Sequence, residues 1–76
     1  MATVEGTHAQ RGTARVVLYG AEYEVAGNTI RFRAWFDGGG THEGEFDFDP
    51  SRLDAAAAVD AFLQNHIEKA DWKDAP

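Results

Sequence analysis

The sequence predicts an α+β fold: a four-stranded antiparallel meander followed by one helix packed on one face, in the order β-β-β-β-α. Three observations carry this. "TIRFRAWFD" (29–37) and "THEGEFDFD" (41–49) each alternate polar and apolar residues, the period of a strand with one buried face. Glycine-bearing breaks at 27–28 and 38–40 separate these runs from each other and from the run before them. One stretch of helical spacing, "LDAAAAVDAFLQNHIEKA" (53–70), closes the pattern.

Residues 1–13 are small and polar without periodicity and read as a disordered arm. A single domain spans 14–70, and 71–76, "DWKDAP", reads as a flexible tail. The first expected strand is "ARVVLY" (14–19), β-branched and apolar, and the second is "EYEVA" (22–26), with period two. Gly20-Ala21 between them fits a type II′ turn; the alternative is three long strands with a bulge at Gly20, plus the helix. Gly27-Asn28 is a two-residue hairpin signal. The run Gly38-Gly39-Gly40 is a three-residue loop. Asp49 with Pro50 behind it makes a helix start, and Ser51 with Asp54 a second one. Val59, Phe62, Leu63, Ile67 and Ala70, with Leu53, Ala55 and Ala56 before them, form the apolar stripe, and His66 lies on or beside it.

The turns set a register. A two-residue turn at 27–28 places Glu24 opposite Arg31, Glu22 opposite Arg33, Tyr23 opposite Phe32 and Val25 opposite Ile30. A three-residue loop at 38–40 places Arg33 opposite Glu45, Arg31 opposite Asp47, Phe32 opposite Phe46, Ile30 opposite Phe48 and Ala34 opposite Gly44. Glu22, Glu24, Arg31, Arg33, Glu45 and Asp47 then form a cross-strand charge network on one face, and the aromatics form a core on the other. A slip of one residue would put charges in the core, so the facing is strongly specified.

Composition narrows the function. The chain has 76 residues and no cysteine, so it has one small core and neither disulfides nor thiolate chemistry. Its net charge of −6 opposes nucleic-acid binding, which needs a basic stripe. No apolar run reaches the length of a membrane span, and "MATVEGTHAQRGTAR" lacks the apolar core of a secretory signal, so a cytoplasmic location is expected. Arginine preferred over lysine, with many alanines and glycines, suits a GC-rich bacterial or phage genome.

Motifs for chemistry are absent. Glu43, Glu45, Asp47 and Asp49 alternate along one strand, as a solvated face neutralised by arginines does, and show no calcium-loop spacing. His8, His42 and His66 would have to meet to hold a metal, and there is no HExxH. Ser51, the only serine, sits at a helix start and not in G-x-S-x-G. The triglycine is followed by acids, which repel phosphate. No catalytic residue, metal or cofactor is therefore expected.

Trp35 is the residue without a core explanation. Its parity places it outside with Arg31 and Arg33, where it either lies over their stems as a cation–π contact or marks an interaction patch. With a turn at Gly20-Ala21, Val17 and Tyr19 join Trp35 and Arg33 in that patch. The strand 14–19 is also an edge with few charges, open to pairing with a second copy.

The last three strands and the helix are similar in order to a double-stranded-RNA-binding domain without its first helix. The resemblance implies topology only, because the helix opens "DPSRLDAAAA" and lacks the basic cluster with which such domains grip phosphate. The expected function is a non-enzymatic protein-interaction module, self-associating as a homodimer. The alternative is an acidic, nucleic-acid-mimicking inhibitor of a basic partner protein.

Overall fold

A computed structural model describes residues 2–12 and 14–69. The strands β1 (Ala2–Ala9), β2 (Val16–Ala26), β3 (Thr29–Phe36) and β4 (Gly40–Asp47) form one antiparallel sheet in sequence order, followed by the helix α1 (Ala55–Lys69). The α+β class and the meander with one C-terminal helix are as the sequence predicts. The expected tail at 71–76 lies outside the described residues.

The four strands differ from the expected four in two places. Residues 2–9, expected in a disordered arm, form β1 and pair with β2 from Ala2 opposite Tyr23 to Ala9 opposite Val16. Only Val4 among them is buried and apolar, so hydrophobic periodicity could not reveal the strand. Its other anchors are polar and distant. His8 Nε2 lies 2.6 Å from Glu68 Oε2, the Arg11 N–H donates to Glu68, and Gln10 Nε2 donates to the Ile67 carbonyl at 3.1 Å.

The second difference is that β2 is one strand of 11 residues. It passes through Gly20 with neither the expected turn nor the alternative bulge. Tyr19 faces Phe36, Gly20 faces Trp35 and Ala21 faces Ala34, with no offset. The small residue at 20 makes room for a ring instead. A Cβ there would lie 2.5–2.7 Å from Cζ2, Cε2 and Nε1 of Trp35, so the glycine is needed for close approach and not for a bend.

The 27–28 turn gives the predicted β2–β3 register: Glu22–Arg33, Glu24–Arg31, Tyr23–Phe32, Val25–Ile30. Gly27 has φ 63° and Asn28 has no positive φ, the pattern of a type II′ turn. The β3–β4 register is shifted by two residues from the expected one. Arg33 faces Glu43, not Glu45; Arg31 faces Glu45, not Asp47; Phe32 faces Gly44, Ile30 faces Phe46, and Ala34 faces His42. The loop is Asp37-Gly38-Gly39, closed by the Gly39 N–H on the Phe36 carbonyl at 3.0 Å, with Gly38 at φ 82°. That φ suits the third position of a type II turn, and it leaves Gly40 inside β4. An even shift keeps every side chain on its predicted face.

The helix starts later than either predicted start. Asp54 is the N-cap, its Oδ1 accepting the Ala57 N–H at 2.8 Å. Asp49 caps a separate turn before it, with its Oδ1 accepting from Ser51 N–H and Ser51 Oγ. Ala58, Val59, Leu63 and Ile67 then bury against the inner face. That face consists of Val4, Val17, Tyr19, Ala21, Tyr23, Ile30, Phe32, Ala34 and Phe36. Phe62 stacks on Phe46 with ring centroids 4.4 Å apart and 7° between planes, and it also meets Phe32 at 5.2 Å. Burying a side chain the size of Leu63 stabilises by about 1.5–3 kcal/mol.

Candidate interaction surface on the outer face of the sheet

One helix covers one side of the sheet, and the other side faces solvent. Strand alternation and the register place Thr3, Glu5, Thr7 and Ala9 of β1 there, followed by Val16, Leu18, Gly20, Glu22 and Glu24 of β2. β3 adds Thr29, Arg31, Arg33 and Trp35, and β4 adds Thr41, Glu43, Glu45 and Asp47. The face has two unlike ends.

The end nearest the 27–28 turn is a charge lattice. Arg33 Nε meets Glu43 Oε2 at 2.6 Å. Arg31 reaches Glu45 at 3.5 Å and Glu24 at 4.0 Å. Asp47 accepts a hydrogen bond from the Thr29 hydroxyl at 2.9 Å. Arg31, Arg33 and their three carboxylate partners are all well exposed, so each pair contributes at most about 1 kcal/mol. An open depression of about 490 Å³ lies among these side chains, with Tyr23, Phe32 and Gly44 also at its border. It is solvated and shallow, unlike the apolar clefts that enclose small molecules.

The other end is apolar. Val16 is 57% exposed, Leu18 48% and Trp35 41%. Trp35 does not lie over arginine stems. Its ring covers Gly20 of the neighbouring strand, and among the described residues no cation stacks on it. Of the expected patch, Trp35 and Arg33 are outside, but Val17 and Tyr19 are core residues, 0% and 2% exposed. The straight passage of β2 through Gly20 flips their parity and brings Val16 and Leu18 out in their place. Val16 and Leu18 were legible in the sequence only through the unbroken reading of 16–26, because continuous alternation from Glu22 and Glu24 back through Gly20 puts the even residues outside. The strand 14–19 is also not an edge: β2 is flanked by β1 and β3, and the edges are β1 and β4.

The polar groups of the covered side serve the fold. The Tyr19 hydroxyl donates to Asp60 Oδ1 at 2.9 Å and accepts from Gln64 Nε2 at 3.0 Å. Burial, more than these partners, raises its pKa above 10.0. Glu68 is held below its ordinary value by the hydrogen bond with His8 and then by the Arg11 N–H. His42 and His66 stack with centroids 4.9 Å apart and 20° between planes, and Phe36 stacks on His66. Burial, then the charge of His42, lowers the pKa of His66. Two of the three histidines therefore meet, but His8 is on Glu68. Among the described residues no three metal-ligating side chains converge. No helix among them is long and apolar enough to cross a membrane. No family model, curated protein or solved structure matches the chain.

Proposed function

We propose that the protein is a small non-enzymatic protein-interaction module that works through the outer face of its sheet. The observation that carries this is the exposure of Val16, Leu18 and Trp35 together on a face that no element of the described chain covers. Apolar side chains grouped at one end of a sheet, beside a polar rim, have the composition of a binding surface. Self-association is the simplest form of this reading. Sedimentation equilibrium over a micromolar concentration series tests it, with Leu18→Ser expected to weaken association while the helical circular dichroism is kept. A chain that stays monomeric at high micromolar concentration and retains no protein through this face overturns the reading.

A second occupant is favoured by charge. The face carries the carboxylates of Glu5, Glu22, Glu24, Glu43, Glu45 and Asp47 against the guanidinium groups of Arg31 and Arg33. Two such faces repel one another, and a basic protein is attracted to either.

A further inference from the structure

We propose that Trp35 is the seat for a cationic side chain, lysine or arginine, of a basic partner protein, and that Glu5 and Glu22 hold its charge. The inference rests on the outer face being an interaction surface and names what it takes.

The ring geometry comes first. Three consecutive indole atoms, Nε1, Cε2 and Cζ2, lie at nearly equal distances of 2.7, 2.6 and 2.5 Å from the position a Cβ would occupy on Gly20. Cε2 joins the other two on the outer rim of the fused rings, so a point about equally near all three stands beside that rim and above the ring plane: the Nε1–Cζ2 edge of the indole leans over Gly20. That edge packs against the backbone of β2, while the residue as a whole is still 41% exposed. An indole this exposed can take a cation over its ring, drawn by the ring quadrupole.

The carboxylates come second. Glu5 is directly opposite Gly20 on β1, and Glu22 is the next outward residue along β2. They border the glycine on which the indole rests. Glu22 faces Arg33 in the register, but the Arg33 guanidinium turns the other way, to Glu43. Arg31 is shared between Glu45 and Glu24. Glu5 and Glu22 are thus left with no ion-pair partner among the described residues. The arginines neutralise the far end of the lattice and leave negative charge beside the exposed Trp35 side chain. Leu18 and Val16, further along β2, offer apolar contact to the flanking residues of the same partner segment. A second copy fits less well, since it would bring another excess of carboxylates to this surface.

Covering Gly20 is a packing role that any aromatic ring fills, so the test needs a readout that packing does not move. The probes are tetralysine and tetra-arginine peptides, with tetraglutamate as the control, titrated at low salt and followed by amide and indole N–H chemical shifts. The Trp35 indole and the amides of Glu5, Gly20 and Glu22 are expected to shift with the cationic peptides and to shift less as salt rises. Glu5→Gln with Glu22→Gln is expected to weaken binding about fivefold without changing thermal stability. Glu45→Gln, whose carboxylate is engaged by Arg31, is expected to change binding less than about twofold. Trp35→Phe, which keeps a ring over Gly20, is expected to weaken binding while the fold is retained.

Peptide shifts spread evenly over all carboxylates, or unchanged in the Glu5/Glu22 double variant, overturn the cation seat. Trp35 shifts that follow the protein's own concentration and not the peptide also overturn it, in favour of a second copy, and leave the interaction surface standing. If no protein, self or other, perturbs the outer face, both readings fall together.

Discussion

The two faces of the sheet are built from the same four strands and the same alternation, but they do different physical work. The inner face holds Val17, Tyr19, Ile30, Phe32, Ala34 and Phe36 under the helix, all nearly inaccessible to water. The outer face holds exposed ion pairs at one end and exposed apolar side chains at the other. Stability follows the area removed from water, so it sits on the inner face. Paired charges in water contribute little, so the outer face is free to vary in chemistry without unfolding the chain. Gly20 is the exception, where the outer face too is tightly packed.

The contrast is sharpest at Leu63, which is fully buried. Leu63→Ala is expected to cost about 2–5 kcal/mol in urea unfolding; a cost well below 1 would mean that the inner face is not where the stability lies. Gly20→Val tests the exception. Its side chain collides with the indole ring, so a loss of about 1–3 kcal/mol is expected, with the Trp35 emission shifted to the red as the ring is displaced. A neutral effect would show that the ring does not rest there.

Tyr19→Phe, back on the inner face, leaves Asp60 and Gln64 without their shared hydroxyl and is expected to cost about 1 kcal/mol. The histidine stack gives a pH dependence. Folding lowers the pKa of His66 below 6.5, so the folded chain binds that proton less readily than the unfolded chain. The stability contributed by neutral His66 is full above 6.5 and is lost as pH falls through the lowered folded value. His66→Phe should flatten this part of the stability–pH curve. Glu68, whose pKa is also lowered, acts in a more acidic window: its contribution is present above 4.5 and lost below. The smallest effect is expected at Arg31→Gln, below about 1 kcal/mol and reduced further by salt. A larger loss there would break the distinction between the faces.

Alternation and glycine position alone determined which residues of 22–26, 29–36 and 40–47 face inward, and they placed the 27–28 turn and the β2–β3 register. The reason is local. A period of two admits no partial error in facing, and a two-residue turn admits one pairing. Helical spacing likewise named Val59, Leu63 and Ile67 as core. What remained was decided by contacts distant in sequence. β1 has a single buried apolar side chain, and its place is secured by backbone pairing with β2 and by Glu68 and Ile67, some 57 to 60 residues away. Gly20 reads as a turn until Trp35 is seen to occupy the space of its missing side chain. The β3–β4 register depended on whether the loop was Gly38-Gly39-Gly40 or, as found, Asp37-Gly38-Gly39 closed on the Phe36 carbonyl, with positive φ at both Gly38 and Gly40. The helix began at neither of its expected starts, Asp49 or Ser51: Asp49 caps a turn with Ser51 and Asp54 caps the helix. Each of these alternatives satisfies the local rules equally, so only the assembled sheet and helix could choose among them.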